Sequence, residues 1–401
     1  MTFIVVMLIA IPILIPVTIQ PFFEFFFYRK RNQRTLHSDL TCIKDCSIVI
    51  PAYYPTESQQ LTDLINHWSH LVKVSSVTDV IIVINGDGCE NFTSELLKKT
   101  SSDGRIHVHI NPCGNNKASN INIGIGYVRT EIVAFFDADA RPTRECIETG
   151  LSAMADGVVA VQGANLPSRG KGTDLLSRMV ILDYSLKYGA TYPMRWNLYR
   201  SAYFSGSNGY WRTSLIRDLR FDERMFVEDI DMSARVLSNG GEIRSCPDAC
   251  CEEEAPPDWK SWALQRYRWA YGWRQIAIRF LPTILRWRNS RALILHWSLA
   301  LGLNTLARPA AWVTLFLLTI MCGPIRVATI AIAVIWGIGL YSTTNLKRLA
   351  AMGTTSWAQD VLIQPWYVWM FLPVYELSLV CIALLGLIKK PSRWHVTKRR
   401  T

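Results

Sequence analysis

Apolar residues crowd the two ends of the chain, whereas residues 40 to 285 mix short apolar runs with charges and turn residues, the pattern of a folded domain. Within that stretch CSIVIPAYY (46–54), DVIIVINGDG (79–88) and EIVAFFDADA (131–140) each read as a buried, β-branched strand closing on turn residues. Helix-like segments separate them. This alternation predicts an α/β fold on a mostly parallel sheet. In such sheets ligands gather beyond the carboxyl ends of the strands, which is where Asp87, Asp137 and Asp139 fall. For Asp87 a plain Asn-Gly-Asp-Gly turn explains the residue equally well.

The apolar ends predict membrane segments. Residues 1–28 are apolar apart from Thr2, Thr18, Gln20 and Glu24, and the basic RKRNQR follows them directly, which reads as an uncleaved anchor. Between residues 290 and 390 apolar stretches cover about 296–322, 326–341 and 361–388, enough for three or four crossings. Pro365, Pro373 and Glu376 mark a hairpin or re-entrant turn there. Three parts follow: an anchor over 1–28, a globular domain over 40–285, and a transmembrane region over 290–390.

Charge sharpens that picture. The chain has 401 residues and a formal net charge of +11. Much of the excess sits in Arg29, Lys30, Arg31 and Arg34 and in Lys389, Lys390, Arg393, Lys398, Arg399 and Arg400, which abut apolar segments. Positive-inside topology accounts for them and places the middle domain in the cytosol, as part of an integral protein of the plasma (inner) membrane. No nucleic-acid partner is expected, since these clusters do not form an aromatic-lined groove. The ten cysteines are scattered, which favours free thiols. Cys246, Cys250 and Cys251, with Cys42 and Cys46, are too loosely spaced for a structural zinc site.

Three clusters carry candidate chemistry. In Phe135-Phe136-Asp137-Ala138-Asp139 two carboxylates follow a hydrophobic strand, and such a pair suits Mg²⁺ or Mn²⁺ held jointly with substrate phosphates. In Phe226-Val227-Glu228-Asp229-Ile230-Asp231 the acids precede a helical run, MSARVLSN, where they either cap the helix or supply a general base. Asp229 is the candidate base, with Glu228 beside it. In WKSWALQRYRWAYGW (259–273) Gln265, Arg268 and Trp269 fall on one helix face, bringing an amide, a guanidinium and an indole together. Arg donates to phosphate oxygens and Trp offers a platform for a pyranose. The alternative is an interfacial helix, because Trp259, Trp262, Trp269 and Trp273 form one stripe.

The ordered set of strand, Asp-x-Asp, Glu-Asp and Gln-x-x-Arg-Trp, over about residues 45 to 280, resembles the family 2 glycosyltransferases of the processive polysaccharide-synthase type. That family includes hyaluronan, chitin, cellulose and poly-N-acetylglucosamine synthases. The resemblance implies a GT-A-type cytosolic nucleotide-sugar-binding domain flanked by transmembrane helices, and inversion at the anomeric carbon. It implies Asp87 near the uracil of a UDP-sugar donor, Asp137 at the nucleotide, Asp139 on the metal and Lys117, in NKASNINIG, near the diphosphate. Gly206 and Ser207, in Ser-Gly-Ser-Asn-Gly, match the loop that admits the acceptor, and Trp269 serves both donor and acceptor. Departures stand at Glu57, where the family's first strand ends in Asn-Glu, at Val227, where many members have Thr, and at Asn85-Gly86, which replaces an acidic residue.

The expected activity is transfer of a sugar from a UDP-sugar to a growing polysaccharide. A lipid acceptor, giving a glycolipid synthase that adds one or a few sugars, is the alternative. A non-catalytic membrane transporter or scaffold is the remote one, because acidic residues within the apolar segments reduce essentially to Glu24 and Glu376.

Overall fold

Strand β1 (Cys46–Tyr53) is buried from Cys46 through Ala52, and its side chains divide between two cores. Val49 packs on one face of the sheet with Ile81 and Val83, while Ile48 and Ile50 pack on the other with Val80, Ile82 and Ile84. A strand covered on both faces reads as a continuous apolar run, which is why these segments lack polar alternation. The computed structural model describes residues 45–90, 104–114, 116–154, 157–168, 175–285 and 366–391, with isolated positions between.

Among the described residues β1 pairs in parallel with β2 (Val77–Asn85) and with β4 (Ile132–Phe135), and β3 (Ile106–Ile110) extends the parallel half beyond β2. Beyond β4 the sheet becomes mixed. β7 (Gly209–Arg212) runs antiparallel to both β4 and β6 (Val158–Ser168), β6 lies parallel to β8 (Glu242–Glu254), and β5 (Arg141–Pro142) closes the order β3-β2-β1-β4-β7-β6-β8-β5. A short helix, α1 (Tyr54–Glu57), and the longer α2 (Leu61–Val74) follow β1.

Helix α3 (Lys117–Tyr127) ties the parallel strand ends together. The Asn116 side chain caps it by accepting from Ser119 N–H at 2.9 Å. From its first turn the Asn120 amide donates to Ala52 O and Val83 O, both at 3.1 Å, and to Asn85 Oδ1 at 2.9 Å. One side chain thus holds the ends of β1 and β2 in register. Gly124 lets the helix approach the sheet, since a Cβ there would meet Val49 Cγ1 at 2.5 Å.

On the mixed side, α4 (Arg144–Ser152) precedes β6. α5 (Leu175–Leu186) passes through a π-helical turn, Lys187–Thr191, into α6 (Tyr192–Tyr199). After β7 come α7 (Thr213–Leu219), α8 (Glu228–Ser238) and α9 (Trp259–Leu285). The last described helix, α10 (Trp366–Ile388), lies along α9.

That pairing corrects the interfacial reading of the tryptophans. Trp262 is buried and its indole donates to Tyr375 OH of α10 at 3.3 Å, while Trp269 and Trp273 pack against the core. Of the stripe only Trp259 is exposed. The anchor over 1–28 and most of the region 290–390 lie outside the described residues. Among the described residues no helix is long and apolar enough to cross a membrane.

The two helices touch at Gly386, where a Cβ would fall 2.6 Å from Ala270 Cβ and 2.9 Å from Tyr271 N. Because the obstruction includes backbone, Gly386→Leu is expected to push α10 off α9 and to cost about 1–3 kcal/mol by overpacking. A thermal midpoint equal to that of the parent protein would show that the contact does not hold the helices together.

Candidate active site

A cleft of about 970 Å³, counting its open mouth, lies beyond the carboxyl ends of β1, β2 and β4. Its wall is built from four sources. The parallel strands contribute Asn85, Asp137 and Asp139; α3 contributes Lys117; α8 contributes Glu228 and Asp229; and α9 contributes Gln265, Arg268 and Trp269. The three separately spaced acidic and aromatic clusters of the sequence therefore meet in one place.

Lys117 organises the centre. Its Nζ is ion-paired with Asp137 and donates to Gly206 O at 2.8 Å. Burial alone would lower the pKa of this amine, but the charges of Asp137, Glu228 and Asp229 outweigh that and hold it above its ordinary value. Gly206 has φ +93, in the left-handed region, and a Cβ there would sit 3.1 Å from both Asp229 Oδ2 and Lys117 Nζ. The glycine is needed for both conformation and space. Beside it Ser207 Oγ accepts from Asp137 N–H at 3.1 Å, fixing the loop to the end of β4.

Glu228 and Asp229 occupy the first turn of α8, and Val227, at the N-cap, makes no side-chain cap bond. Val227 instead packs against α9, where a Cβ on Gly272 would lie 2.5 Å from it. A valine at this position gives up a cap and gains a helix contact. Burial, reinforced by Asp229, pushes Glu228 up to about 7, and burial also raises Asp229 even though Lys117 and Lys187 oppose it. A buried carboxyl group poised near neutrality is what proton transfer at physiological pH demands.

Asp139 is 3% exposed, and its Oδ2 accepts from Glu254 N–H at 3.0 Å. Glu253 and Glu254, from the end of β8, line the same cleft. Among the described residues no group of three or more acidic, His or Cys side chains converges as a closed metal cage. One or two carboxylates at the floor of an open cleft fit a hard divalent cation that takes its remaining ligands from phosphates and water.

The structure does not bring every predicted residue here. Asp87 is exposed in the turn after β2 and stands outside the cleft lining; positive φ at Gly86 and Gly88 sets that turn. Glu57 does reach the cleft, where it is buried and accepts from Tyr53 N–H at 2.7 Å. The sequence reading missed Glu253 and Glu254, whose signal was the acidic run 252–254 before Pro256-Pro257. It also missed Lys187, whose Nζ sits among Tyr184, Tyr188, Tyr192 and Trp269 at 4.7 to 5.9 Å from the ring centroids.

The model of the glycosyl transferase family group 2 matches residues 132–387, well over half of the chain and including both α8 and α9. The chain belongs to this family. This family 2 glycosyltransferase is 24% identical over 275 residues to a probable glycosyltransferase of Bacillus subtilis, a match covering 67% of the chain and 64% of the relative. It is also 24% identical over 339 residues to a probable glucomannan 4-beta-mannosyltransferase of Oryza sativa, covering 80% of the chain and 58% of the relative. The chain thus spans less than two thirds of either relative. A mannosyltransferase from Pyrobaculum calidifontis, solved with GDP-mannose and Mn²⁺, superimposes with a TM-score of 0.57 at 16% identity over 94% of this chain and 99% of that one. The shared fold is the GT-A-like α/β fold expected from the sequence.

Proposed function

We propose that this chain is a membrane-bound inverting glycosyltransferase that moves a sugar from a nucleotide-sugar to a growing polysaccharide, with Asp229 as general base. The observation that carries the reading is the position of Asp229. It lines the main cleft, which holds Lys117, Asp137 and Asp139, and it also lines an adjoining second cavity, whose lining does not include Glu228. A base between donor and acceptor spaces is placed to take the acceptor's proton.

In this mechanism Asp137 and Lys117 form the wall against the nucleotide diphosphate, and Arg268, whose Nη1 donates to Phe226 O at 3.3 Å, presents its guanidinium to the same cleft. Asp139 would hold Mg²⁺ or Mn²⁺, which when bound neutralises the departing diphosphate. Asp229 removes the hydroxyl proton as the acceptor oxygen bonds to the anomeric carbon and the bond to phosphate breaks. Attack opposite the leaving group inverts that carbon.

A UDP-sugar is the donor implied by the sequence resemblance. GDP-mannose stands beside it as a second reading, favoured by the mannosyltransferases among the similar proteins. A lipid acceptor remains the alternative to polysaccharide. Membrane attachment, with the domain on the cytosolic side, is supported by the apolar runs with basic flanks and by α10, whose Leu385 and Ile388 are 56% and 79% exposed.

The test uses membranes containing the full chain, radiolabelled UDP-sugars and GDP-mannose, and product sizing. Transfer is expected to stop on chelation with EDTA and to return with Mn²⁺ or Mg²⁺. Long products indicate a polysaccharide acceptor, and short, lipid-extractable ones a glycolipid. Full activity in EDTA would remove the metal from the mechanism, and the absence of both transfer and donor hydrolysis across the panel would overturn the proposal.

A further inference from the structure

The second cavity, about 920 Å³ counting its open mouth, is bounded by α5, the π-helical turn, α6, the first turn of α8 and the middle of α9. Its apolar walls are Tyr192, Tyr203, Trp269 and Trp273, flat surfaces of the kind on which a sugar ring stacks. Its charged lining is Lys187, Arg195 and Arg266 against Asp183 and Asp229. Arg266 and Asp183 form an ion pair of 2.9 Å. Asp229 faces Lys117 as well as Lys187.

Arg195 is the exception. It is 6% exposed, its guanidinium carbon lies 5.1 Å from the Tyr203 ring centroid, and among the described residues no carboxylate pairs with it. A buried guanidinium without an anion is costly, and such groups are normally paired. Its position on an aromatic-walled cavity beside the proposed base makes the missing anion a ligand group.

From this we infer that the acceptor bears an anionic group, a carboxylate or a phosphate, that Arg195 receives when the sugar ring lies against Tyr203 and Trp273. The inference rests on the glycosyltransfer reading above. Lys187 adds to it: burial pushes its amine down to about 8, and an anion in the cavity would restore its charge. The carboxylate would come from a uronic acid within a polysaccharide, and the phosphate from the link between a sugar and a lipid.

The experiment compares methyl β-glucuronide, glucose 1-phosphate and methyl β-glucoside on the full-length protein. Acceptor kinetics are read beside tryptophan fluorescence, since Trp269 and Trp273 line the cavity. At least one anionic probe is expected to exceed the neutral one in kcat/KM and in affinity by about 10–100-fold, the worth of a charge-assisted hydrogen bond. Preference for the glucuronide assigns the carboxylate source, and preference for glucose 1-phosphate the phosphate source. Arg195→Gln is expected to bring the anionic-to-neutral ratio to about one, while Arg195→Lys keeps most of it and controls for folding.

Equal use of all three probes by the parent protein, or an unchanged ratio in Arg195→Gln, overturns the inference. Donor hydrolysis by the parent separates the two claims. Hydrolysis without anion preference defeats this inference alone, whereas anion preference in fluorescence without any hydrolysis defeats the glycosyltransfer reading and leaves an anion site.

Discussion

Asp229→Asn is expected to lower kcat by about 10²–10⁴-fold, the usual contribution of a general base, while leaving the fold intact. The amide keeps the shape of the carboxylate but cannot accept the acceptor's proton. Stability should not fall with activity. Burial holds the Asp229 pKa above its ordinary value, so the charged form is the disfavoured one in the folded protein. A raised carboxyl pKa contributes stability below the unfolded value, and that contribution is lost as pH rises through the folded one. At pH 8 the variant therefore should melt at or above the parent's midpoint. Loss of activity together with a large drop in the midpoint would point to a structural part for Asp229. Retention of activity within tenfold would transfer the base to Glu228, its neighbour in the same turn, which Glu228→Gln then tests.

Much of the fold and part of the site were legible in the sequence because they depend on local pattern. The apolar runs of β1, β2 and β4 fix the parallel half of the sheet, and the position of Asp137 and Asp139 just after β4 fixes their place at its ligand-bearing edge. The residues that escaped depend on distant pairing. Glu253 and Glu254 enter the cleft only because β8 pairs with β6 through Glu254, a register that nothing near them announces. Lys187 is turned among its aromatic rings by a π-helical turn that periodicity does not reveal. For the tryptophan stripe, helix geometry placed the side chains on one face, but only the arrival of α10 made that face an interior one. Asp87 shows the opposite case: its position after β2 was read, but in the turn its side chain is exposed and is not among the residues that line the cleft.

The second large effect is expected at Lys117, the cation enclosed by Asp137, Glu228 and Asp229. Lys117→Met keeps the length of the side chain and removes its charge. Both Glu228 and Asp229 are lowered by Lys117 against the upward push of burial, so without it their pKa values rise further. In the parent the acid limb of the rate profile should lie above the ordinary carboxylate range, with Glu228 at about 7. In the variant the limb should move to higher pH, because the base stays protonated longer. At pH 7 the combined loss of diphosphate contact and ionised base is expected to reach about 100-fold or more in kcat/KM, with partial recovery toward pH 9. Stability carries the same sign. With the amine between Asp137, Glu228 and Asp229 removed, the variant should be least stable at high pH and approach the parent as pH falls and the groups take up protons. A profile that drops in height without moving along the pH axis would mean that Lys117 contacts the diphosphate but does not tune the base, and a midpoint difference independent of pH would mean that its amine does not offset the carboxylate charge.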